Sequence, residues 1–349
     1  MSHPSVVLGI DFGGTKIAAA VCDLAGNKLA DAVVDSQAAL GARACFEHGV
    51  KTAKGLLAGI ADNADDGSAV DLAAVGVATF GIPYEDRVEL APAIDGWDSW
   101  PLGRELRSAF PGTHIRMATD VKAAALAEAR WGSLIGADPA IYLNLGTGLA
   151  AAIVSREQVL LGSHGAAGEI GYYLRQRSDV GLPTGSRVLL EDMVSGQGLR
   201  LRASTAQQQV TAAEVFGASP GPDDVELEAL VEDFVNELAF HLVNLAILVN
   251  PARIAVGGGM TRSWDRIGPT LTQALRAAVP YPPELVLAHF PHEAPLLGAV
   301  ALAVDAASNN IATIALSNGH YRANRTNNAS TRPSGNLPAG TPQATSHSG

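Results

Sequence analysis

The chain has 349 residues, 47% apolar and 17% charged, with a formal net charge of −11. That length allows about two domains with sizeable cores. An acidic chain without a basic run is a poor partner for nucleic acid, whose phosphates must be neutralised by Lys and Arg. No apolar run approaches the ~20 residues needed to span a bilayer, and two cysteines, Cys22 and Cys45, exclude a disulfide framework and a Cys-rich metal site.

Residues 6–10, 17–22 and 28–33 read as consecutive strands, with Asp23-Leu24-Ala25-Gly26-Asn27 as the turn between the last two. Helical spacing follows at 38–61, then buried-looking strands at 72–78 and 114–118. Residues 81–100 between them are rich in Gly, Pro and Asp and read as a long loop, hence a binding candidate. Residues 121–131 are Ala-rich and helical. A second round begins with a strand at 140–145, a small-residue turn and a strand at 149–154. Residues 225–249 form one long helical pattern, followed by a strand at 253–256, a helix at 264–279, a strand at 285–289 and a helix at 295–306. Beyond residue 317 the chain is Asn, Ser, Thr, Pro and Gly with few apolar residues, a disordered composition. The first four residues carry neither a basic n-region nor an apolar h-region, so the expectation is a protein without a signal peptide in a reducing, cytoplasmic setting.

The densest chemistry is Asp11-Phe12-Gly13-Gly14-Thr15-Lys16, where a strand ends in an acid, two glycines, a hydroxyl and a cation before the chain returns as a strand. Bare backbone N–H groups, a hydroxyl and an ammonium suit a phosphate, and Asp11 suits a metal held through water. The spacing is neither a Walker A loop nor a dinucleotide fingerprint. Gly146-Thr147-Gly148 repeats the pattern of strand, turn and strand. Two such turns imply two similar halves facing a cleft. Asp120 stands between a strand and a helix, where it is either an N-cap or a carboxylate able to take a proton. Gly257-Gly258-Gly259 is either a nucleotide loop or a strand-to-helix turn. Lys16 is either a phosphate contact or a solvated lysine, and Thr15 and Thr147 also fit ordinary turn chemistry.

Asp11-Phe12-Gly13-Gly14-Thr15-Lys16, Gly146-Thr147-Gly148, Ala167-Gly168-Glu169-Ile170-Gly171 and Gly257-Gly258-Gly259 together resemble the ROK family (repressor, open reading frame, kinase), across residues 5 to about 306. The resemblance implies an α/β, actin-like (ribonuclease H-like) two-domain ATPase fold with a central cleft. It implies a small domain of residues 1–120 plus about 295–316, a large domain of 121–294 and a tail of 317–349. It implies ATP and Mg²⁺ as cofactors, and transfer of the γ-phosphoryl group to a sugar hydroxyl, usually the 6-hydroxyl. Residue by residue, it makes Asp120 the general base. Asp11, Gly13, Gly14, Thr15, Lys16, Gly146, Thr147, Gly148 and Gly257 to Gly259 become the nucleotide contacts, and Thr119, Asp120, Glu169, Tyr172 and Glu191 the sugar contacts. Glu191 is carried by Leu190-Glu191-Asp192-Met193-Val194-Ser195-Gly196, which resembles the family's Leu-Glu-x-x-x-Ser-Gly; taken alone it reads as a solvated helix residue. Trp97, in the segment resembling the family's Ala-Pro-Asn-x-x-Gly-Trp with Ala93 at the Asn position, reads as a packing anchor.

The pattern breaks at one place. The family's Gly-His and Cys-x-Cys-Gly-x-x-Gly-Cys hold a structural zinc, but here the His position is Tyr172 and residues 175–190 contain no Cys. A tetrahedral site needs its ligands together, so no structural zinc is expected. Tyr172, Thr119 and Ala93 also change polar positions around the expected sugar, which leaves glucose, an amino-sugar such as kanosamine, or another hexose open. ATP is the expected donor, with polyphosphate as an alternative, and a homodimer the expected assembly. The rival reading is a non-catalytic sugar sensor, as in the family's repressor branch. With a strand read from about residue 5, the expectation is a chain without the helix-turn-helix those proteins carry.

Overall fold

In the computed structural model the described residues are 5–62, 70–204, 210–217 and 225–308; the tail expected at 317–349 lies outside them. The first half runs β1 (Ser5–Phe12), β2 (Lys16–Asp23), β3 (Lys28–Asp35), α1 (Ala42–Asp62), β4 (Asp71–Thr79), the short pair β5 (Ile82–Pro83) and β6 (Val88–Glu89), α2 (Leu102–Ala109), β7 (His114–Thr119) and α3 (Asp120–Trp131). The second runs β8 (Ala140–Leu145), β9 (Leu149–Ser155), β10 (Gln158–Val159), α4 (Leu190–Met193), α5 (Gly196–Ala203), α6 (Ala212–Gly217), α7 (Val225–Val249), β11 (Arg253–Gly257), α8 (Trp264–Ala278), β12 (Glu284–Leu287) and α9 (Ala294–Ala307).

The two five-stranded sheets have the same strand order. One is β3-β2-β1-β4-β7 and the other β10-β9-β8-β11-β12. In each, three antiparallel strands joined by hairpins precede two parallel strands reached by crossovers. The near-continuous apolar runs of β1 and β8 reflect burial on both faces. Each sheet has its own core. Phe12, Phe46 and Trp97 pack around β1, while Leu143, Leu145 and Phe234 pack around β8. Trp97 is fully buried and donates its indole N–H to Thr79 Oγ1 at 3.1 Å, the packing anchor its context suggests.

A layer of small residues on α3 and α9 packs against both sets of strands. Gly298 makes this possible: a Cβ there would lie 1.9 Å from the Ala123 carbonyl oxygen, so only glycine lets the two helices meet. The far end of α3 is clamped by Glu128, which is fully buried and accepts from the backbone N–H groups of Ser133 (2.7 Å), His289 (3.1 Å) and Phe290 (2.7 Å). With one helix end clamped and its middle seated on α9, the residues at its N-terminus hold a fixed position.

Two expectations differ in detail. The helix expected at 38–61 is a 3₁₀ turn, Ala38–Leu40, and a separate α1, because Gly41 at φ 82 breaks the run. The loop expected at 81–100 contains the β5–β6 pair.

Candidate active site

The end of β1 carries Asp11, and the chain turns through Gly13, Gly14 and Thr15 into β2. The turn is closed by Gly13 N–H donating to Lys16 O at 3.0 Å. It is then tied to the end of β3, with Ser36 N–H donating to Thr15 O and Ser36 Oγ to Gly14 O, both at 3.0 Å. A Cβ on Gly13 would stand 2.8 Å from Lys16 O, so the first glycine is set by the turn itself. Thr15 and Lys16 are exposed.

The second turn is built on the same plan and pinned differently. Gly146 N–H donates to Gly148 O at 3.1 Å, while Gly196 N–H and Gln197 N–H, from the start of α5, reach Gly146 O (2.8 Å) and Thr147 O (3.1 Å). Glu191 Oε2 accepts from Leu149 N–H at 2.7 Å, and a Cβ on Gly148 would sit 2.6 Å from that oxygen. Gly257, Gly258 and Gly259 lie at the end of β11, where the chain enters a 3₁₀ turn (Gly259–Ser263) and then α8. Two of the three glycines are required by their surroundings. A Cβ on Gly257 would collide with the Tyr142 hydroxyl at 2.1 Å. Gly258 has φ 93 and would meet Leu145 O at 2.5 Å. Gly259 faces open space. The strand-to-helix reading is therefore the local structure, and it brings the triplet against the second hairpin.

Asp120 is the first residue of α3, but it is not the cap. Thr119 caps the helix, its Oγ1 accepting from Lys122 N–H at 3.3 Å. The N-cap reading of Asp120 is thereby corrected, and the Thr119 hydroxyl is buried and engaged at the helix end. Asp120 keeps one backbone contact, Val121 N–H to Oδ1 at 2.8 Å. Burial raises its carboxyl to about 6; the Val121 N–H and Lys122 pull it down, and Glu169 pushes it up. Asp11 is raised further, to about 7, by burial and then by the Asp120 charge, against the pull of Lys16. The two strand-end carboxyls therefore sense each other.

Ala167-Gly168-Glu169 runs beside β9. Ala151 N–H donates to Gly168 O at 2.8 Å, and Gly168 at φ 86 leaves no room for a side chain, since a Cβ would lie 1.9 Å from Ala151 O. This places Glu169 near α3, where its Oε1 meets Lys122 Nζ at 3.3 Å. Lys122 is 3% exposed in its side chain. Tyr172 is partly exposed, and its hydroxyl is raised by burial and then by Glu191 and Glu169, so it shares their field. Glu191 is itself raised by burial, with Asp192 and Glu169 adding to this and the Leu149 N–H opposing it. The structure thus assembles Asp11, Asp120, Glu169, Tyr172 and Glu191 into one electrostatically connected group. A role for Lys122 was not visible in the sequence, because its partner is 47 positions away. Asn144 was missed as well. It occupies in β8 the place Asp11 has in β1, two residues before the turn glycine, and its side chain borders Gly146 and Gly258.

The stretch that lacks the family's cysteines is held by polar contacts. Asp179 accepts from Arg175 N–H (3.1 Å) and Gln176 N–H (3.2 Å), Arg187 donates to the carbonyls of Tyr172 (2.6 Å) and Tyr173 (3.0 Å), and Arg175 pairs with Glu237 of α7 at 2.6 Å. Among the described residues no group of three or more His, Cys, Asp or Glu side chains is placed to hold a metal. None of the described helices is long and apolar enough to cross a membrane.

Duplicated sheets with a hairpin at the head of each define the actin-like ATPase fold, which solved ROK sugar kinases share. The chain belongs to the ROK family, whose family model matches residues 7–306. It is 29% identical to the glucokinase of Streptomyces coelicolor over 283 residues, 75% of this chain and 84% of that one. It is also 29% identical to the kanosamine kinase of Amycolatopsis mediterranei over 267 residues, 76% and 84% of the two chains. Among solved structures, the ROK hexokinase of Thermus thermophilus superposes with a TM-score of 0.70 at 28% identity, over 87% of this chain and 99% of that one. A ROK glucokinase of Streptomyces griseus, in complex with glucose and AMPPNP, gives 0.64 at 26%, over 85% and 99%.

Proposed function

We propose that the protein is an ATP-dependent kinase that phosphorylates the 6-hydroxyl of a hexose or amino-hexose, with Asp120 as general base. The observation that carries this reading is a partly buried carboxyl, raised to about 6, at the head of a clamped helix, whose charge is felt by Asp11 of the phosphate-type hairpin. A base with that value is ionised at neutral pH yet basic enough to accept a hydroxyl proton.

In this reading the sugar lies against Glu169, Glu191 and Tyr172, whose acceptors and hydroxyl orient it. The two hairpins offer backbone N–H groups to the phosphates, and the open space at Gly259 admits the nucleoside. Asp120 takes the proton of the 6-hydroxyl as that oxygen bonds to the γ-phosphorus and the bond to the β–γ bridging oxygen breaks, leaving ADP and the sugar phosphate. Asp11 fits a divalent cation as one acid rather than a cage: it is a partly buried carboxyl that senses the charge of Asp120, and among the described residues no group of three or more potential ligands forms an all-protein site. Such an ion keeps waters and phosphate ligands, and when bound as Mg²⁺ it neutralises phosphate charge. Kanosamine and glucose are both candidate acceptors, since relatives named for each are equally similar to this chain.

The experiment is ADP release by purified protein over glucose, mannose, glucosamine, N-acetylated sugars and kanosamine, with Mg·ATP and separately with polyphosphate. The expectation is turnover with at least one sugar and ATP. Sugar binding by calorimetry without turnover, under either donor, would instead fit the sensor reading.

A further inference from the structure

We propose that Lys122 is a positioning residue of this site: its buried ammonium fixes the Glu169 carboxylate where the sugar meets it and supplies the counter-charge that the surrounding acids lack. The inference rests on the kinase reading for its kinetic part and on sugar binding alone for the rest.

The charge inventory leads to it. Around Asp120 stand Asp11 on β1, Glu169 in the loop after β10 and, beyond Glu169, Glu191 on α4, with Tyr172 among the last two. Tyr142 on β8 feels the charges of both Glu128 and Asp120. On α9, Asp305 pairs with Arg130 at the other end of α3 at 2.7 Å. Among the described residues, the cations that act on Asp11 and Asp120 are Lys16 and Lys122. Lys16 is exposed and acts on Asp11, whereas Lys122 is buried and acts on Asp120. Only the second is held in a fixed place, by α3 itself and by its 3.3 Å contact with Glu169.

A long ammonium side chain costs desolvation when buried, and that cost is offset only where it faces carboxylates in good geometry. Lys122 therefore bridges two functional groups that come from different parts of the chain. It sits two residues after the proposed base on the same helix, and it grips the proposed sugar carboxylate 47 residues away. With it removed, Glu169 and Asp120 face each other without a cation. Glu169 then loses its anchor, and the base becomes harder to ionise. The two consequences are separable, because one concerns geometry and the other charge.

The test compares Lys122→Met, Lys122→Arg and the double variant Lys122→Met/Glu169→Gln with the parent, each checked for folding by circular dichroism. Calorimetry measures the sugar Kd, and the pH profile of kcat/KM gives the position of the acid limb. Lys122→Met is expected to weaken sugar binding about tenfold and to move the acid limb up by about one pH unit, the size expected for losing an opposite charge at close range. Lys122→Arg keeps the charge and changes the geometry, so it should weaken binding while leaving the limb in place. The double variant loses one charge of each sign, so its limb should return towards the parent's although binding stays weak. A purely structural lysine would give no such return.

Folded Lys122→Met with the parent's sugar Kd and an unmoved limb overturns the proposal. If Lys122→Met does not fold, Lys122→Arg and the double variant carry the test, and a double variant whose limb stays raised overturns it. A parent that binds sugar but shows no turnover overturns the kinase reading alone; the Kd series then still decides on Lys122. A parent that does neither overturns both.

Discussion

The two hairpins share a topology and differ in charge and support. The first ends β1 with Asp11 and is tied to its own sheet through Ser36. The second ends β8 with Asn144 in the matching place and is wedged between the start of α5 and the glycine triplet after β11. Duplication thus yields two phosphate-type turns, of which one keeps an acid and an open exterior while the other is neutral and packed. A symmetric pair would put an acid at the head of both hairpins. The asymmetry leaves one strand-end acid, Asp11, which senses the charge of Asp120.

The largest expected effect comes from erasing that difference. Asp11→Asn gives the first hairpin the amide of the second, and kcat should fall by about a hundredfold or more, since the acid expected to serve the metal is gone. The same variant should be more stable than the parent at pH 8. The folded value of Asp11, about 7, lies above its ordinary 3.8, so ionising it costs folding free energy. That cost is absent below pH 4, grows between pH 4 and 7 and is complete above 7. Chemical denaturation should show a gain of up to about 4 kcal/mol at pH 8 and none at pH 4. Loss of stability at pH 8 would contradict the assignment of Asp11 as a strained acid.

Next in size is the difference in packing. Gly258→Ala adds a Cβ at positive φ and against Leu145 O, and should destabilise the protein by about 2–4 kcal/mol. Gly14→Ala in the open first turn meets only Ala93 at 3.6 Å and should cost less than about 0.5 kcal/mol while raising the KM for nucleotide. Equal stability losses at the two sites would mean that both turns are packed alike. Smallest is Glu191→Gln, because the amide oxygen can still accept from Leu149 N–H; a few-fold rise in sugar KM with little change in melting temperature is expected.

Much of the fold was legible because its strands are apolar runs ending in glycine turns, and the repeat of Gly13-Gly14 at Gly146 announced the duplicated sheets. Segments without a period were not legible. The 3₁₀ turns between Ile170 and Ser186, and α4 and α5 after them, are held by side chain-to-backbone bonds such as those of Asp179, Arg187 and Ser195. Such bonds leave no spacing to read. At the site, Asp11, Asp120, Glu169, Tyr172 and Glu191 were legible as candidates through the family resemblance, whereas the places of Lys122 and Asn144, and which of Thr119 and Asp120 caps α3, were not. Thr and Asp are both good cap residues, so nothing local told that Thr119 rather than Asp120 would cap the helix. The Lys122–Glu169 and Glu191–Leu149 contacts join positions more than 40 residues apart, and tertiary packing alone decides them.

The central claim is that Asp120 is the base. Its most direct test is the rate of sugar-dependent ADP release by the parent and by Asp120→Asn across pH 5 to 9, with sugar binding measured alongside. The account predicts that the parent's kcat/KM falls tenfold per pH unit below about 6. It also predicts that Asp120→Asn loses turnover by about two to four orders of magnitude while folding normally and still binding sugar. An Asp120→Asn protein that turns over at the parent's rate, with the acid limb unchanged, would contradict it.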